Sequence, residues 1–396
     1  MMSGRDLRAR IPLLPPGPEA ALIRQAALWP TVPTAPQADL LAAAEDKRLV
    51  DMAVEHRLLP PLGKILRASG CAPGSAMRAA EQQTIFRSLR QMATTLTLLG
   101  QLEKAGCRAL VLKGQALSAQ LYGQPDIRMS HDIDLLIDPQ TAIAAHHVMI
   151  NNGYHPYYPV SVDRLSLTTK DQIYTGPAGP VELHWRLFDN ALLVPWDFET
   201  LWADKALIAL SGNSTVPTLS RDRHVLYQAV HGLLHGWARL RWLADMVVPL
   251  QRIDDLECVL DLAERYQLLP VMVHTMRLAR DVLGVELAMP VPGTERQQAI
   301  ADSIDRRVDS LARTRVTVGY ERVGGWARRR LAEKHLALLI CPNAKAARAE
   351  LFSHLVGVGD LIDVRLPRRL TWLYFLLRPL LLLRRTVARA IRKRPG

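Results

Sequence analysis

Two aspartates, Asp132 and Asp134, stand two residues apart at the start of a run of β-favouring residues that ends at Ile137. In a strand, side chains at this spacing point to the same face. Two carboxylates on one face repel each other unless a cation lies between them. Hard divalent ions such as Mg²⁺ take oxygen ligands and keep positions open for phosphate oxygens. The pair therefore predicts a metal site for phosphate chemistry, and a solvated turn before a strand is the alternative.

Two features position this pair. The apolar run 108–112 ends at Lys113-Gly114 and is followed by a helical pattern, which predicts a strand, a glycine turn and a helix before the aspartates. Glu182 lies in a later short apolar run that also predicts a strand. A glycine between a strand and a helix allows backbone conformations that other residues avoid, and the N–H groups at a helix start bind phosphate.

This order of elements resembles the nucleotidyltransferase superfamily that includes DNA polymerase beta, in which a glycine turn holds the triphosphate and three carboxylates hold two metal ions. More narrowly, it looks like the branch called uncharacterised nucleotidyltransferases, over roughly residues 80 to 290. The chain departs from the superfamily pattern at Gln115, where Ser is usual, and at Glu182, where Asp is frequent. The motifs that carry the resemblance are Leu112-Lys113-Gly114, Leu121-Tyr122, Arg128, Asp132-Ile133-Asp134-Leu135-Leu136, Gly153-Tyr154, Glu182-Leu183-His184-Trp185, and His231 with His235 to Asp245.

The resemblance implies an enzyme that moves a nucleoside monophosphate from an NTP to a hydroxyl or phosphate acceptor whose identity the sequence does not reveal. ATP is the working choice of nucleotide, although no residue specifies the base. A non-catalytic nucleotide-binding or partner-binding module is the alternative. The implied catalytic residues, which also hold two Mg²⁺ ions, are Asp132, Asp134 and Glu182. The implied nucleotide-binding residues are Lys113, Gly114, Gln115, Arg128 and Ser130.

Four further polar residues are candidates for an acceptor pocket. His184 alternates with Glu182 on one strand face, and His231 and His235 share a helix face. The histidine pair has zinc-ligand spacing, but no glutamate follows the first histidine and no third ligand is evident, so an acceptor pocket or helix packing is the preferred interpretation. Asp245 is the fourth candidate, with pairing inside the helical bundle as its alternative.

Length and hydrophobic periodicity predict an α+β, helix-rich fold, with a small mixed-sheet nucleotidyltransferase core between helical N-terminal and C-terminal units. Three strands are expected, and residues 224–250 are predicted to form one helix. Proline-rich breaks are expected at 30–36 and 289–292. The predicted units are 1–75 (helical), 76–210 (nucleotidyltransferase core), 211–290 (helical bundle), 291–364 (helical) and 365–396 (basic apolar tail).

The net charge of +12 is concentrated at one end of the chain. Residues 365–396 contain nine Arg, one Lys and no acid, so the remaining chain carries only +2. Because positive and negative charges nearly balance in residues 1–364, specific nucleic-acid binding is not favoured. The basic tail instead indicates an anionic membrane surface as partner. A C-terminal helix that packs on the body is the alternative. Four dispersed cysteines and the lack of an apolar leader favour the cytoplasm, with peripheral attachment to the inner face of the membrane.

Overall fold

The computed structural model describes residues 17–31, 39, 41, 45–212, 214–252, 256–285, 287, 294–318, 331, 333–353 and 356–392. Part of the predicted break at 30–36, the whole break at 289–292 and both chain ends lie outside the described residues. The architecture is α+β and helix-rich with a mixed sheet, which confirms the predicted fold class. The unit boundaries stay a prediction.

The helices before the sheet and the helices that follow it share one hydrophobic core. The N-terminal helices are α1 (Pro18–Leu28), α2 (Asp46–Glu55) and α3 (Leu59–Ala68). They pack with α9 (Arg221–Leu234), α10 (Leu240–Arg252), α11 (Leu256–Arg265) and α12 (Leu269–Leu283). The predicted N-terminal unit is therefore built into the same core as the predicted bundle.

A second core lies between the sheet and the helices α4 (Ser75–Lys104) and α6 (Ala142–Asn151). The run from Ala76 to Ala105 predicts one long amphipathic helix, and α4 is a single helix over this run. Ile85 and Leu89 of the predicted apolar face are nevertheless 53% and 55% exposed. Further along the chain lie the short helices α7 (Val162–Leu165) and α8 (Phe198–Ala203), and then α13 (Glu295–Val318), α14 (Ala344–Ser353), α15 (Val358–Asp363) and α16 (Leu373–Arg392). Within the described residues, no helix is both long enough and apolar enough to cross a membrane.

The described residues form a seven-stranded sheet in the order β3-β4-β5-β2-β1-β7-β6. Strands β2 and β5 run parallel, as do β1 and β7, and the other neighbours are antiparallel. The strands are β1 (Ala109–Val111), β2 (Ile133–Ile137), β3 (His155–Pro156), β4 (Asp171–Thr175), β5 (Val181–His184), β6 (Ala206–Ser211) and β7 (Ser214–Thr218). The three expected strands are β1, β2 and β5, so the expected strand number was too low.

The prediction of one helix over residues 224–250 was wrong. The chain leaves α9 at His235 and turns through Gly236 and Trp237, whose φ angles of 54° and 50° are left-handed, before α10 begins. The turn lets the indole of Trp237 fold back onto Gly232, where an added Cβ would lie 2.3 Å from the Trp237 ring. Gly236 in the left-handed conformation is the local stop signal: its N–H donates to the Leu233 carbonyl at 2.7 Å, and the Trp237 N–H donates to the Gly232 carbonyl at 2.8 Å, which is a glycine cap of a helix C-terminus. Burial of the Trp237 ring then holds this turn in the core.

Candidate functional site

A glycine turn joins β1 to the helix α5 (Gly114–Tyr122). Gly114 has φ +63°, and an added Cβ would meet no atom closer than 3.8 Å, at Ser130. Glycine is therefore required here by the backbone conformation and not by lack of space. Lys113 is the N-cap residue of α5, and its buried ammonium lies 3.0 Å from Asp134 Oδ1.

The predicted carboxylates come together through strand register. Asp134 on β2 and Glu182 on β5 are direct partners across a parallel pair, so their side chains share one face. Asp132 precedes β2 by one residue, and the Ser130 hydroxyl donates to its backbone carbonyl at 2.8 Å and lies 3.1 Å from its carboxylate Oδ1. Asp134 is 3% exposed, whereas Asp132 and Glu182 are half-buried. The floor of the site is thus one buried and two accessible acids.

His184 completes a cluster of potential metal ligands. Its Nε2 lies 3.2 Å from Asp134 Oδ1 and 3.3 Å from Glu182 Oε2. Asp134, Glu182 and His184 each offer one ligand atom, and these atoms all lie within 4.8 Å of one another. The arrangement has the donor chemistry of a divalent cation site.

The surroundings shift the pKa values of Asp132 and Asp134 in opposite directions. Burial works against ionisation of Asp134, but the Lys113 ammonium and His184 hold its pKa well below the usual range. Burial and then the Asp134 charge raise the pKa of Asp132. Two neighbouring carboxyl groups whose pKa values shift in opposite directions are typical of a functional site. Although burial opposes it, hydrogen bonds to Asp134 and Glu182 raise the pKa of His184.

A fourth acid, which the sequence analysis missed, stands on the neighbouring strand. Asp171 begins β4 and is the register partner of His184, with its Oδ2 3.6 Å from His184 Nδ1. The same oxygen lies 3.0 Å from the ammonium of Lys170. Within the described part of the chain, His184 Nδ1 is buried and makes no hydrogen bond. The pattern of β4 does not stand out from the sequence, which is why Asp171 was not predicted.

These groups open onto a cavity of about 540 Å³ between the sheet and the helical bundle. Seven predicted site residues line it, and Asp134, Gly114, Gln115, His184 and Asp245 are not among the lining residues. The lining residues are Arg57, Lys113, Arg128, Ser130, Asp132, Lys170, Asp171, Ile173, Glu182, His231, His235, Ala238, Arg239 and Trp242.

Three of the lining cations were not predicted, namely Arg57, Lys170 and Arg239. Arg57 lies in the turn between α2 and α3 with φ +58°, a conformation uncommon for a residue with a side chain. Its Nε is buried and has no hydrogen-bond partner among the described residues. Burial, followed by the charge of Arg239, lowers its pKa to about 10. Only tertiary packing brings this N-terminal residue to the cavity.

Arg128 is held in place from behind by Asp245. Its Nε donates to Asp245 Oδ2 at 2.8 Å, and the Tyr122 hydroxyl donates to Oδ1 at 3.0 Å. Arg241 Nε also lies 2.9 Å from Oδ1, as an ion pair without hydrogen-bond geometry. Asp245 therefore lies beneath the cavity wall and positions Arg128.

The buried side chain of Gln115 donates to Gln91 on α4 at 3.0 Å.

An aromatic wall closes the bundle side of the cavity. The rings of His231 and His235 are 4.5 Å apart, and both pack on Trp242 at 5.4 and 5.3 Å. Burial, followed by the nearby Lys113 charge, holds the pKa of His231 well below its usual value. His231 is therefore neutral at physiological pH, able to donate and accept hydrogen bonds but not to neutralise an anion.

Comparison with known proteins agrees with this geometry. A family model described as uncharacterised nucleotidyltransferase matches residues 42–284, which is more than half of the chain and spans the glycine turn, the carboxylates and the bundle wall. No curated protein matches the chain. The chain belongs to the uncharacterised nucleotidyltransferase family and is a transferase of phosphorus-containing groups.

Proposed function

We propose that this member of the uncharacterised nucleotidyltransferase family transfers a nucleoside monophosphate from an NTP to an acceptor hydroxyl or phosphate in the cavity, in a Mg²⁺-dependent reaction. One observation carries the proposal: Asp132 and Glu182 line a cavity that also contains five Lys or Arg side chains, and Asp134, the register partner of Glu182, is buried directly beside them. A polyphosphate bound to metal is the ligand class that satisfies both sets of charges.

The residues present fit a divalent cation. Asp132, Asp134 and Glu182 supply carboxylate oxygens, which suit Mg²⁺, and we infer two ions from the family chemistry. His184 Nε2 beside Asp134 and Glu182 adds a nitrogen that suits other divalent metals. When bound, such ions neutralise triphosphate charge and make an acceptor hydroxyl a better nucleophile.

The triphosphate would lie against Lys113, Arg128 and the N-terminus of α5. The ion pair to Asp245 fixes the Arg128 guanidinium before any ligand arrives, so little side-chain entropy is lost on binding. The first N–H groups of α5 favour an anion, as helix starts do. The Ser130 hydroxyl lines the same wall, and its single hydrogen, which is donated to Asp132 in the structure, would turn to a phosphate oxygen on binding. Gln115 would contribute through its backbone, since its side chain is engaged with Gln91.

The acceptor would enter from the side of Arg57, Arg239 and the aromatic wall. Arg57 and Arg239 repel each other and lie on the bundle side of the acids, which supports an acceptor with a negative group. The neutral His231 and the Trp242 face would provide hydrogen bonding and apolar contact. The lining residues select no particular base, so the proposal covers any NTP.

Titration calorimetry of each NTP with and without Mg²⁺ tests the proposal on three proteins. We expect the wild type to bind an NTP only with Mg²⁺, Asp132→Asn/Asp134→Asn to lose this binding, and Asp126→Asn to retain it. Asp126 is an exposed acid near the same strand, so its variant is a matched control. Equal binding with and without Mg²⁺ would support a binding module that uses Lys113 in place of a metal ion. Unchanged Mg²⁺-dependent binding in the double variant would contradict the assigned carboxylates.

Transfer itself is tested with an NTP labelled at its α-phosphorus and a panel of hydroxyl and phosphate acceptors. We expect a labelled adduct together with pyrophosphate, and neither product with Glu182→Gln. Pyrophosphate release that does not depend on Glu182 would contradict its proposed role.

A further inference from the structure

The C-terminal helix α16 presents an exposed apolar stripe. The aromatic and aliphatic side chains on one face recur at helical spacing, and all of them are more than a third exposed. Leu376 and Leu380 are the most exposed, at 65% each. The residues of the stripe are Trp372, just before the helix, and Phe375, Leu376, Pro379, Leu380 and Leu383.

The opposite face of α16 is bound to the protein. The buried Tyr374 hydroxyl donates to the carbonyl of Val364 at 2.7 Å and accepts from Arg164 at 2.8 Å. Arg378 Nη1 lies 2.6 Å from Oδ2 of the fully buried Asp360. Arg385 forms ion pairs with Asp360 and Asp363. These contacts fix the rotation of the helix about its axis. Leu376, Leu380 and Leu383 of the stripe therefore point away from the body, whereas the Phe375 ring packs edge-on against Phe352 of α14, with 6.2 Å between the centroids.

Exposed positive charge flanks the stripe. Arg365 and Arg369 precede it, and Arg384 stands one turn after Leu380 on the same side. Residues 365–396 contain no acidic residue that would neutralise these arginines. Arg378 and Arg385, on the inner face, are instead paired with acids of the body.

We infer that the outer face of α16 binds the surface of a bilayer that contains anionic phospholipid. Interfacial helices combine Trp, Phe and Leu on one face with Arg or Lys along its border. The apolar stripe would enter the headgroup region while Arg365, Arg369 and Arg384 contact lipid phosphates. A second copy of the chain is the poorer occupant, because pairing two such stripes would bring the flanking arginines together. For a protein that acts in the cytoplasm, the surface is the inner face of the membrane.

Vesicle sedimentation of the full-length protein tests this inference. Vesicles of phosphatidylcholine alone are compared with vesicles of phosphatidylcholine and phosphatidylglycerol at low and high salt. We expect the wild type to sediment with the anionic vesicles, less at high salt, and poorly with phosphatidylcholine alone. Leu376→Glu/Leu380→Glu should weaken sedimentation by about tenfold or more, since two leucines no longer enter the apolar region.

A matched control is available on α4. Ile85 and Leu89 are also four residues apart and exposed, at 53% and 55%, so Ile85→Glu/Leu89→Glu introduces the same charge on another helix. This control should sediment like the wild type. Arg365→Gln/Arg369→Gln should reduce the preference for phosphatidylglycerol.

Three outcomes would overturn the inference. These are sedimentation that Leu376→Glu/Leu380→Glu leaves unchanged, binding without preference for anionic lipid, and a dimer in sedimentation velocity that this variant dissociates. The last outcome would assign the stripe to a second copy. Mg²⁺-dependent NTP binding, measured on the same variant, reports on the proposed catalytic function separately and should remain intact.

Discussion

The ammonium of Lys113 lies 3.0 Å from Oδ1 of Asp134, and both side chains are almost wholly buried. This ion pair ties the glycine turn after β1 to the carboxylate floor on β2. It also keeps Asp134 ionised in a place where burial alone would favour the neutral acid. The charge that a metal ion needs is therefore present before any ion binds.

Lys113→Met should lower the free energy of unfolding by about 3 kcal/mol, because Asp134 is left as a buried charge with a weaker counter-charge. Adding Asp134→Asn should restore part of this loss, since the amide carries no charge. Urea denaturation of the two single variants and the double variant in EDTA gives the coupling energy, which we expect at about 1–3 kcal/mol. Strictly additive effects would mean that the two residues do not form the ion pair.

Gly114→Ala should destabilise the protein by about 1–2 kcal/mol, because its φ of +63° is unfavourable for any residue with a Cβ. The space around Gly114 is sufficient, so the cost is conformational. Gly100→Ala is the control: Gly100 lies within α4 with no atom near an added Cβ, and alanine there should be neutral or stabilising by up to about 1 kcal/mol. Thermal unfolding measures both, and equal effects would contradict the argument.

Asp245→Asn should weaken NTP binding although Asp245 does not line the cavity. The variant leaves Arg128 and Arg241 without their buried counter-charge, so Arg128 loses its fixed position, and the free energy of unfolding should fall by about 3 kcal/mol. Calorimetry with Mg²⁺ and NTP, together with urea denaturation, tests both effects. Asp126→Asn, which changes an exposed acid, should alter neither. Full NTP affinity in a folded Asp245→Asn protein would argue against a positioning role.

His56 should make stability depend on pH. Burial, followed by the Arg239 charge, lowers its pKa to about 4, and its Nδ1 accepts a hydrogen bond from the backbone N–H of Leu240. The folded state therefore needs neutral His56, whereas the unfolded chain protonates with a pKa of about 6.5. This contribution is fully present above pH of about 6.5 and is lost as pH falls towards 4.

Urea denaturation between pH values of about 7.5 and 4.5 tests whether stability falls with pH as expected. Between pH of about 6.5 and 4.5 the wild type should lose about 2 kcal/mol through His56. His56→Asn should remove about this amount from the pH dependence. The part that comes from His131 and His224, whose pKa values burial also lowers to about 4, should remain. His155→Asn should leave the wild-type slope, because His155 is exposed. A slope that His56→Asn does not change would contradict a neutral His56.

The sequence by itself determined the parts of the site that lie within one local segment. The spacing of Asp132 and Asp134 predicted two acids at the start of one strand, the turn after β1 predicted a glycine at position 114, and the run from Ala76 to Ala105 predicted one long helix. Each of these follows from backbone geometry over a few residues, which a single sequence expresses directly. The lack of acid in residues 365–396 likewise predicted an anionic partner for the tail, which stays a prediction.

Only the tertiary structure decided which distant residues join the site. Register between β2, β5 and β4 brought Asp171 and His184 to Asp134, and packing of α2 and α3 on the bundle delivered Arg57 to the cavity. Asp245, a candidate for the acceptor pocket, lies outside the cavity lining and pairs with Arg128 instead. These placements depend on burial and on pairing between segments far apart in the chain, for which local periodicity carries no signal.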